Sequence, residues 1–505
     1  MKRRRFALAL IATVVAAASA SAAGRCGDHP WCDGALPPDA RAALLLAELT
    51  EDEKISLLAG DELFGVAGRA NTHTGTSNGV PRVDLPTIYY SDGPMGSRSG
   101  QATAMPAPIG LAATWDVTVA ERYGGLVANE VKSKGNDVVF APTVNIMRTP
   151  LAGRTFEGYG EDPHLVGRIG VAWIRGAQRE GVIANVKHFA ANNQEGFGPQ
   201  PPPGVPLGLA LLGNRFTVNA VVDERTLREI YLPAFEAAVK DGQVGSVMCS
   251  YNRLNGAYAC ESRPLLTDVL KSDWAFPGYV LADYGAAHPT GTFASLENGL
   301  DFEPWPGMAY SPLQVKVALA TGLATAAALD EHVRRILRTH FAFGVFDRAA
   351  YIDDDAQIDK AGHQAVAAEV EEAAITLLRN EGGILPLDLA ALDSITIVGA
   401  DADRFLSRGG SAGITPFPGF YDTPRQRITE RATAAGVEVR YDPGDDAKAA
   451  AAAAAGADVA LVFTSDLSIE GVDRLCLSLN CLGDSRDQDA VIAAVAAANP
   501  NTVVV

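Results

Sequence analysis

The strongest constraint on the fold of this chain is the repeated alternation of short apolar runs with amphipathic helical stretches between residues 37 and 346. The apolar runs cover residues 87–90, 137–141, 182–186, 244–251 and 279–282, and the helical stretches cover residues 116–134, 163–179, 223–241 and 330–343. Asp116 and Asp223 are suitable N-cap residues for two of these helices. Repeated strand–helix units predict a parallel sheet. About 310 residues of this pattern, without a dinucleotide-binding fingerprint, favour an α/β fold of the (β/α)8-like barrel type over an open sheet.

A second αβ pattern follows the barrel segment. Polar residues 348–359 precede predicted helices at 360–379, 423–435, 449–455 and 487–498 and predicted strands at 394–399, 437–441 and 458–464. We therefore predict a signal peptide (1–23), a catalytic barrel (24–347), a linker (348–370) and an α/β sandwich domain (371–505). The β-branched run at 501–505 is expected to be an edge strand, or else the sandwich is incomplete because the sequence is a fragment of a longer protein.

The first residues predict export. Lys2 to Arg5 are positively charged, residues 6–17 form a short apolar segment, and small residues follow. This pattern is typical of a secretory signal peptide and is too short for a membrane span. We expect cleavage near Ala20 to Ala23 and a secreted protein, extracellular or periplasmic. No other stretch has about 18 unbroken apolar residues, so no membrane span is expected.

The six cysteines agree with export, because disulfides persist in oxidising compartments. Six cysteines allow 15 pairings, and the sequence alone does not select one. Their clustering favours three neighbour pairs: Cys26–Cys32, Cys249–Cys260 and Cys476–Cys481. The spacings of a zinc site are absent from the sequence, which makes a metal site the weaker interpretation.

The charge balance narrows the class of partner. The chain has 42 Lys and Arg against 60 Asp and Glu, a formal net charge of −18. An acidic surface repels phosphate backbones, which argues against nucleic acid and anionic membranes as partners. Neutral substrates remain compatible with this charge.

Polar side chains follow several of the apolar runs. Asp283 ends the run at 279–282, Lys187 and His188 end the run at 182–186, and Asp92 follows residues 87–90. Arg154 lies in a glycine-rich stretch after 137–141. In a barrel, the carboxyl ends of the strands carry the active site. Each residue also has a structural alternative: a helix cap for Asp283, a turn for Asp92, an ion pair for Arg154 and a surface position for Lys187 and His188.

The motifs SDGPMG, NIMRTPLAGRTFEGYGEDP, VKHFAANNQE, SYNRLNG and LADYG, in this order, resemble glycoside hydrolase family 3. The later runs LLRNEGGILPL, ITIVGADADRF, GGSAG and EGVDR resemble the second domain of the same family. The resemblance extends from about Leu44 to the end of the chain. It implies a (β/α)8-like barrel followed by an α/β sandwich, whose loop supplies a catalytic acid/base over the barrel mouth.

The resemblance also implies roles for particular residues. Asp283 matches the catalytic nucleophile and Glu470 matches the acid/base best, ahead of Asp466, Asp473, Asp484 and Asp487. The residues expected to line the pocket of the terminal sugar are Asp92, Arg154, Lys187, His188, Met248 and Tyr251. A retaining mechanism requires an ionised nucleophile and an acid/base whose pKa is raised by a partly closed site. It also requires carboxyl groups about 5–5.5 Å apart.

The sequence departs from the family pattern at three places. Ala282 replaces a frequent Ser, Tyr284 replaces a frequent Trp, and the Pro-rich stretch 196–214 reads as an insertion or surface loop. The second domain of the family normally continues well past residue 505, which would make this sandwich incomplete.

Together with the predicted signal peptide, the resemblance implies an exported retaining exo-β-glycosidase, in particular a β-glucosidase that hydrolyses terminal non-reducing β-D-glucosyl residues through a covalent intermediate. The expected substrate is a β-linked oligosaccharide or an aryl or alkyl β-glycoside. The alternatives are a β-xylosidase of the same family and a non-catalytic sugar-binding relative. No cofactor and no metal are expected, because P-loop, HExxH and paired zinc-ligand motifs are absent from the sequence.

Overall fold

The computed structural model describes residues 24–61, 73–196, 214–288, 291–406, 410–466, 468–480 and 486–505. The predicted signal peptide, Cys481 and most of the predicted insertion at 196–214 lie outside the described residues. Within the described ranges, none of the helices combines the length and the apolarity needed to cross a bilayer.

Within the described ranges, eight short strands form the wall of the N-terminal domain. They are β1 (Ala59–Gly60), β2 (Gly75–Ser77), β3 (Ile88–Asp92), β4 (Val138–Phe140), β5 (Ile183–Phe189), β6 (Ser246–Cys249), β7 (Tyr279–Ala282) and β8 (Glu303–Pro306). Strands β3 to β7 pair in parallel in chain order. A bridge between Leu281 and Phe302 joins β7 to the start of β8, and β8 pairs in parallel with β1. The predicted (β/α)8-like barrel is confirmed, with the difference that β2 runs antiparallel to β3.

Large aromatic side chains fill the interior of this barrel. The Tyr90 ring lies between those of Phe140 and Phe302, and its centroid is 5.5 Å from the first and 5.6 Å from the second. The hydroxyl of Tyr90 lies 3.2 Å from that of Tyr279. All four side chains are buried. The inward positions of successive strands therefore meet in a packed core beneath the carboxyl ends of the strands.

Helices with the predicted caps surround the barrel. Val117–Ser133 begins after Asp116, whose carboxylate accepts the N–H groups of Thr118 and Val119. The next helix, Pro163–Arg179, matches its predicted bounds and packs closely on the first. A Cβ added at Gly124 would lie 2.1 Å from the carbonyl oxygen of Trp173. Only glycine allows the two helices to approach this closely.

Three predicted helices have different bounds in the structure. The helix predicted at 330–343 spans Ala326–Ala342 and begins after Thr325, whose side chain accepts the N–H of Ala328. The stretch predicted as one helix at 223–241 is divided into Glu224–Thr226, the π-helical turn Leu227–Tyr231 and Pro233–Lys240. Pro233 has no N–H to donate and interrupts the regular hydrogen-bond ladder. The helix predicted at 360–379 spans Lys360–Ala374 and so ends five residues earlier than predicted. The next two residues, Ile375 and Thr376, are β-branched and favour extended backbone.

The C-terminal domain contains a parallel four-stranded sheet. Its strands are β9 (Ser394–Val398), β10 (Glu438–Asp442), β11 (Val459–Val462) and β12 (Thr502–Val504), in the order β10–β9–β11–β12. Ile395 and Ile397 pack in a core on one face, and Val398 and Val462 pack in a second core on the other. Coverage of both faces confirms the predicted α/β sandwich, and β12 lies at an edge of the sheet.

The helix Lys360–Ala374 connects the domains and packs against the barrel. Arg122 Nη1 and Nη2 donate to the two carboxylate oxygens of Glu369, at 2.7 and 2.8 Å, and His363 Nδ1 lies 2.8 Å from Glu130. Residues 360–370 of the predicted linker therefore belong to an ordered helix.

Two predicted disulfides are present. Cys26 bonds to Cys32 and Cys249 bonds to Cys260, with Cα atoms 5.5 and 5.2 Å apart. The third predicted pair includes Cys481, which lies outside the described residues.

Asp301 provides a test of what holds β7 and β8 together. Its fully buried carboxylate lies 2.7 Å from Lys271 Nζ and 2.6 Å from His332 Nδ1, and it accepts the N–H of Val280 at 2.7 Å. Asp301→Ala leaves the buried Lys271 ammonium without its counter-charge. We expect the free energy of unfolding of the barrel to fall by about 3–5 kcal/mol.

The urea midpoint of tryptophan fluorescence measures this loss, because all five tryptophans lie before residue 347. The matched control is Asp52→Ala, which removes an exposed partner of Lys316 at 2.6 Å. Exposed pairs contribute little, so its midpoint should stay close to that of the original chain. Equal midpoints for the two variants would contradict the prediction.

Candidate active site

A cavity of about 210 Å³ lies at the carboxyl ends of the barrel strands. Both domains line it, and it contains all eight residues that the sequence analysis selected: Asp92, Arg154, Lys187, His188, Met248, Tyr251, Asp283 and Glu470. The barrel contributes the first seven from loops and ends of β3, β5, β6 and β7. The C-terminal domain contributes Glu470 from the loop after β11.

Asp283 follows directly on β7 and is held by one of its two oxygens. Oδ1 accepts the hydroxyl of Tyr251 at 2.9 Å and the N–H of Tyr284 at 2.8 Å. Oδ2 is buried and accepts no hydrogen bond from any described residue. Burial raises the pKa of Asp283, although Arg215, Arg154 and Lys187 oppose this shift. The geometry leaves one carboxylate oxygen available to a reaction partner in the cavity.

Lys187 and His188 both line the cavity, although neighbouring residues on a regular strand face opposite ways. The peptide bond between them is cis. His188 Nδ1 lies 3.2 Å from Asn145 Oδ1, whose orientation is fixed because the Asn145 amide donates to the carbonyl of His188. Nδ1 therefore carries the proton, and Nε2 accepts from Arg154 Nη1 at 3.2 Å.

His188 is neutral in this arrangement. Burial lowers its pKa well below the ordinary value, and the charges of Arg154, Lys187 and Arg215 lower it further. Its Nε2 lies 3.7 Å from Asp283 Oδ2. The positive charge near the Asp283 carboxylate therefore comes from the lysine and arginine side chains.

Asp92 ends β3 with its carboxylate between two cations. Arg98 Nη1 donates to Oδ2 at 3.0 Å, and Lys187 Nζ lies 3.8 Å from Oδ1. The turn alternative for the SDGP motif does not describe this side chain, because it faces the cavity. A fixed carboxylate of this kind can accept hydrogen bonds from two neighbouring hydroxyls.

Arg154 serves both of the roles that the sequence left open. Its Nε lies 2.5 Å from the buried Glu157, an ion pair within the loop. Its Nη2 donates to Ser411 Oγ at 3.1 Å, and its Nη1 lies 3.7 Å from Glu470. Arg154 therefore links the barrel to the C-terminal domain at the cavity.

Glu470 is surrounded by donors. Oε1 lies 3.0 Å from Arg215 Nη1, and Oε2 accepts the N–H of Ser411 at 2.6 Å. Burial acts to raise the pKa of Glu470, but Arg154, Arg215 and Ser411 outweigh it and hold the pKa below its usual range. The expectation of a raised pKa was wrong for this structure, because two guanidinium groups lie close to the carboxylate.

The neighbouring acids occupy other positions. Asp473 accepts the N–H groups of Gly153 and Glu195, both at 2.9 Å, and Asp466 pairs with Arg474 at 2.7 Å. Asp487 caps the helix Gln488–Ala498. Asp484 lies outside the described residues. Of the described candidates, only Glu470 lines the cavity.

Tyr284, which the sequence analysis noted as a replacement for a frequent Trp, also lines the cavity. The sequence analysis missed several further cavity residues: Thr74, Arg98, Phe140, Arg215, Trp305, Gly410 and Ser411. Arg215 follows the Pro-rich stretch, so no strand or motif indicated its position. Arg98 lies six residues after Asp92, beyond the end of the strand. A signal did exist for Ser411, because it lies in the GGSAG run, which resembles the second domain of glycoside hydrolase family 3.

Trp305 forms an aromatic wall of the cavity. Its indole N–H donates to the carbonyl of Thr74 at 2.7 Å, and its ring meets Tyr284 edge-on at 5.1 Å. A ring fixed in this way presents apolar surface beside the carboxylates. The cavity therefore combines polar groups for hydroxyls with an apolar face. Among the described residues, no group of three or more His, Cys, Asp or Glu side chains is suited to hold a metal ion.

Comparisons with known proteins agree with this architecture. The model of the glycosyl hydrolase family 3 N-terminal domain matches residues 70–206 and 208–339, and that of the C-terminal domain matches residues 375–505. The crystal structure of DesR, a β-glucosidase from Streptomyces venezuelae in complex with D-glucose, is similar with a TM-score of 0.80 at 30% identity. The match covers 92% of this chain and 71% of that one.

Curated relatives show the same similarity over most of this chain. A thermostable β-glucosidase B from Acetivibrio thermocellus is 33% identical over 485 residues, and an exo-α-(1→6)-L-arabinopyranosidase from Bifidobacterium longum is 35% identical over 493 residues. Each match covers 91% of this chain and 59% of the relative, so the chain spans about three fifths of their length. The matches to both domain models and the similarity to a solved structure show that this chain belongs to glycoside hydrolase family 3.

Proposed function

We propose that this chain carries the active site of a retaining exo-β-glycosidase, in particular a β-glucosidase. The observation that carries the proposal is the meeting of Asp283 and Glu470, from different domains, in one buried cavity lined by cations. Support also comes from the relatives named as β-glucosidases. The small volume suits one terminal sugar rather than the middle of a polymer.

The proposed reaction has two steps. Asp283 Oδ2 attacks the anomeric carbon and forms a covalent bond to the sugar, while the bond to the leaving oxygen breaks and Glu470 supplies that oxygen with a proton. Glu470 then takes a proton from water, and the water oxygen displaces Asp283 with the β configuration restored. Asp92 and Lys187 hold hydroxyl groups of the sugar, and Tyr251 fixes the other oxygen of Asp283.

The two carboxylates give a first test by substitution. We expect Asp283→Ala and Glu470→Ala each to lower kcat/KM on an alkyl β-glucoside, whose leaving oxygen needs a proton, by about 10³-fold or more, because each removes a group that acts in the transition state. Asp268→Ala, at an exposed carboxylate that does not line the cavity, serves as the control and should keep its activity.

Added azide distinguishes the two roles by the configuration of the product. Azide should give an α-glycosyl azide with Asp283→Ala, because it attacks the face that the nucleophile has left. It should give a β-glycosyl azide with Glu470→Ala, because it attacks the glycosyl-enzyme. NMR of the unsubstituted chain should show the β anomer first. An α product first would contradict retention.

A second test concerns the sugar. We expect kcat/KM for 4-nitrophenyl β-D-glucoside to exceed that for the β-D-xyloside by about tenfold or more, because a buried hydroxymethyl group contributes roughly this factor. The α-L-arabinopyranoside belongs in the same series, since one similar protein is named as an arabinopyranosidase. A higher rate with either pentoside would replace β-glucosidase with that specificity. Absence of hydrolysis by a folded chain would support the sugar-binding alternative.

We also propose that the protein is exported and that residues 1–23 are removed. The two disulfides, Cys26–Cys32 and Cys249–Cys260, support this proposal because such bonds persist in oxidising compartments. In a bacterial host, mass spectrometry should find the product outside the cytoplasm with its N-terminus near Ala20 to Ala23. A chain that begins at residue 24 should remain in the cytoplasm. An intact Met1 on cytoplasmic product of the full sequence would contradict export.

A further inference from the structure

A third buried carboxylate, Glu195, adjoins the two that the proposed mechanism uses. Its side chain is almost fully buried, and Oε2 lies 2.7 Å from Arg215 Nη1. The same nitrogen lies 3.0 Å from Glu470 Oε1. Arg215 Nη1 thus donates to two carboxylates, Glu195 from the barrel and Glu470 from the C-terminal domain.

Glu195 also contacts the loop that carries Glu470. Its Oε2 accepts the N–H of Gly471, the residue after Glu470, at 3.0 Å. Its own N–H donates to Asp473 in the same loop at 2.9 Å. Glu195 therefore holds the backbone next to Glu470 in place. It also pairs with Arg215, the same guanidinium that pairs with the side chain of Glu470.

The surrounding charges determine what Glu195 does to Glu470. Arg154, Arg215 and Lys187 favour the ionised form of Glu470. Glu195 and Glu470 each disfavour ionisation of the other, and Asp283 adds a further negative charge beside Glu470. The guanidinium carbon of Arg215 lies 4.6 Å from the centroid of the Tyr251 ring. Tyr251 itself is uncharged, because burial raises its pKa well above the ordinary value.

We propose that Glu195 is a positioning residue that competes with Glu470 for Arg215 and so allows Glu470 to take up the proton that the leaving group requires. The inference rests on the proposed function of Glu470. When Glu195 is ionised, it shares Arg215 with Glu470, and its negative charge disfavours the ionised form of Glu470. With Glu195 neutral, Arg215 acts on Glu470 alone.

The protonation of Glu195 is itself sensitive to pH near neutrality. Burial raises the pKa of Glu195 to about 7, against the opposing charges of Arg154 and Arg215. Because the cations hold the pKa of Glu470 below its usual range, the free pair carries its first proton mainly on Glu195. The two carboxylates that share Arg215 titrate as a coupled pair. Glu470 holds this single proton only in the form in which Glu195 is ionised and pairs with Arg215.

Two substitutions test the inference because they act with opposite sign. Glu195→Gln keeps an acceptor for Gly471 but removes the negative charge, so the basic limb of the kcat/KM profile should move about one unit to lower pH. Arg215→Gln removes the shared cation, so the same limb should move to higher pH. The loss caused by Glu195→Gln should be larger for an alkyl β-glucoside than for a dinitrophenyl β-glucoside, whose leaving group needs little protonation.

Asp473→Asn is the matched control. Asp473 holds the same loop because its carboxylate accepts the N–H groups of Glu195 and Gly153 and not a donor of Arg215. It should change stability or rate without moving the basic limb. A limb that stays in place for Glu195→Gln, or that moves equally for Asp473→Asn, would overturn the inference.

A measurement that needs no activity separates this inference from the proposed function. The ¹³C carboxyl shift of Glu470, assigned with Glu470→Gln, should titrate at lower pH in Glu195→Gln than in the unsubstituted chain. A chain that hydrolyses glycosides but shows the same titration in both would overturn the inference alone. A chain that shows the shift but hydrolyses no aryl glycoside would contradict the proposed function alone. If Glu195→Gln does not fold, Glu195→Asp and Arg215→Gln decide: an unmoved titration in both overturns the inference.

Discussion

The arrangement of the two domains around the cavity depends on the neutralisation of three buried cations. Arg154, Lys187 and Arg215 come from barrel loops and strand ends, and each has lost most of its contact with water. An unpaired buried charge costs several kcal/mol. The barrel supplies some of the balancing carboxylates, and the C-terminal domain supplies Glu470. The site is therefore also part of the interface that holds the domains in register.

The pKa values of the two proposed catalytic carboxylates shift in opposite directions beside these three cations. For Asp283, burial outweighs the cations, and its pKa is raised. For Glu470, two guanidinium groups outweigh burial, and its pKa is lowered. The free site thus favours an anionic Glu470, although a general acid must carry a proton. Any mechanism through Glu470 needs a group that offsets Arg215, and Glu195 is the carboxylate that shares it.

Much of the fold follows from local sequence patterns. Asp116 caps its helix as the sequence predicts, and the strand Tyr279–Ala282 has the predicted bounds, because caps and apolar runs act within a few residues. The stretch predicted as one helix at 223–241 is interrupted before Pro233. The proline was a local signal for this break, but the prediction followed the apolar periodicity across it. The antiparallel direction of β2 had no local signal, since strand direction depends on the pairing partner.

The sequence by itself determined the α/β architecture of both domains and the positions from which Asp283 and Glu470 reach the cavity. Order and spacing of motifs along one chain carry that information. Only the tertiary structure decided that Arg215, beyond a Pro-rich stretch, returns to the site and shares one nitrogen between Glu195 and Glu470. Protonation depends on distances between charges that are far apart in sequence, and folding alone sets those distances.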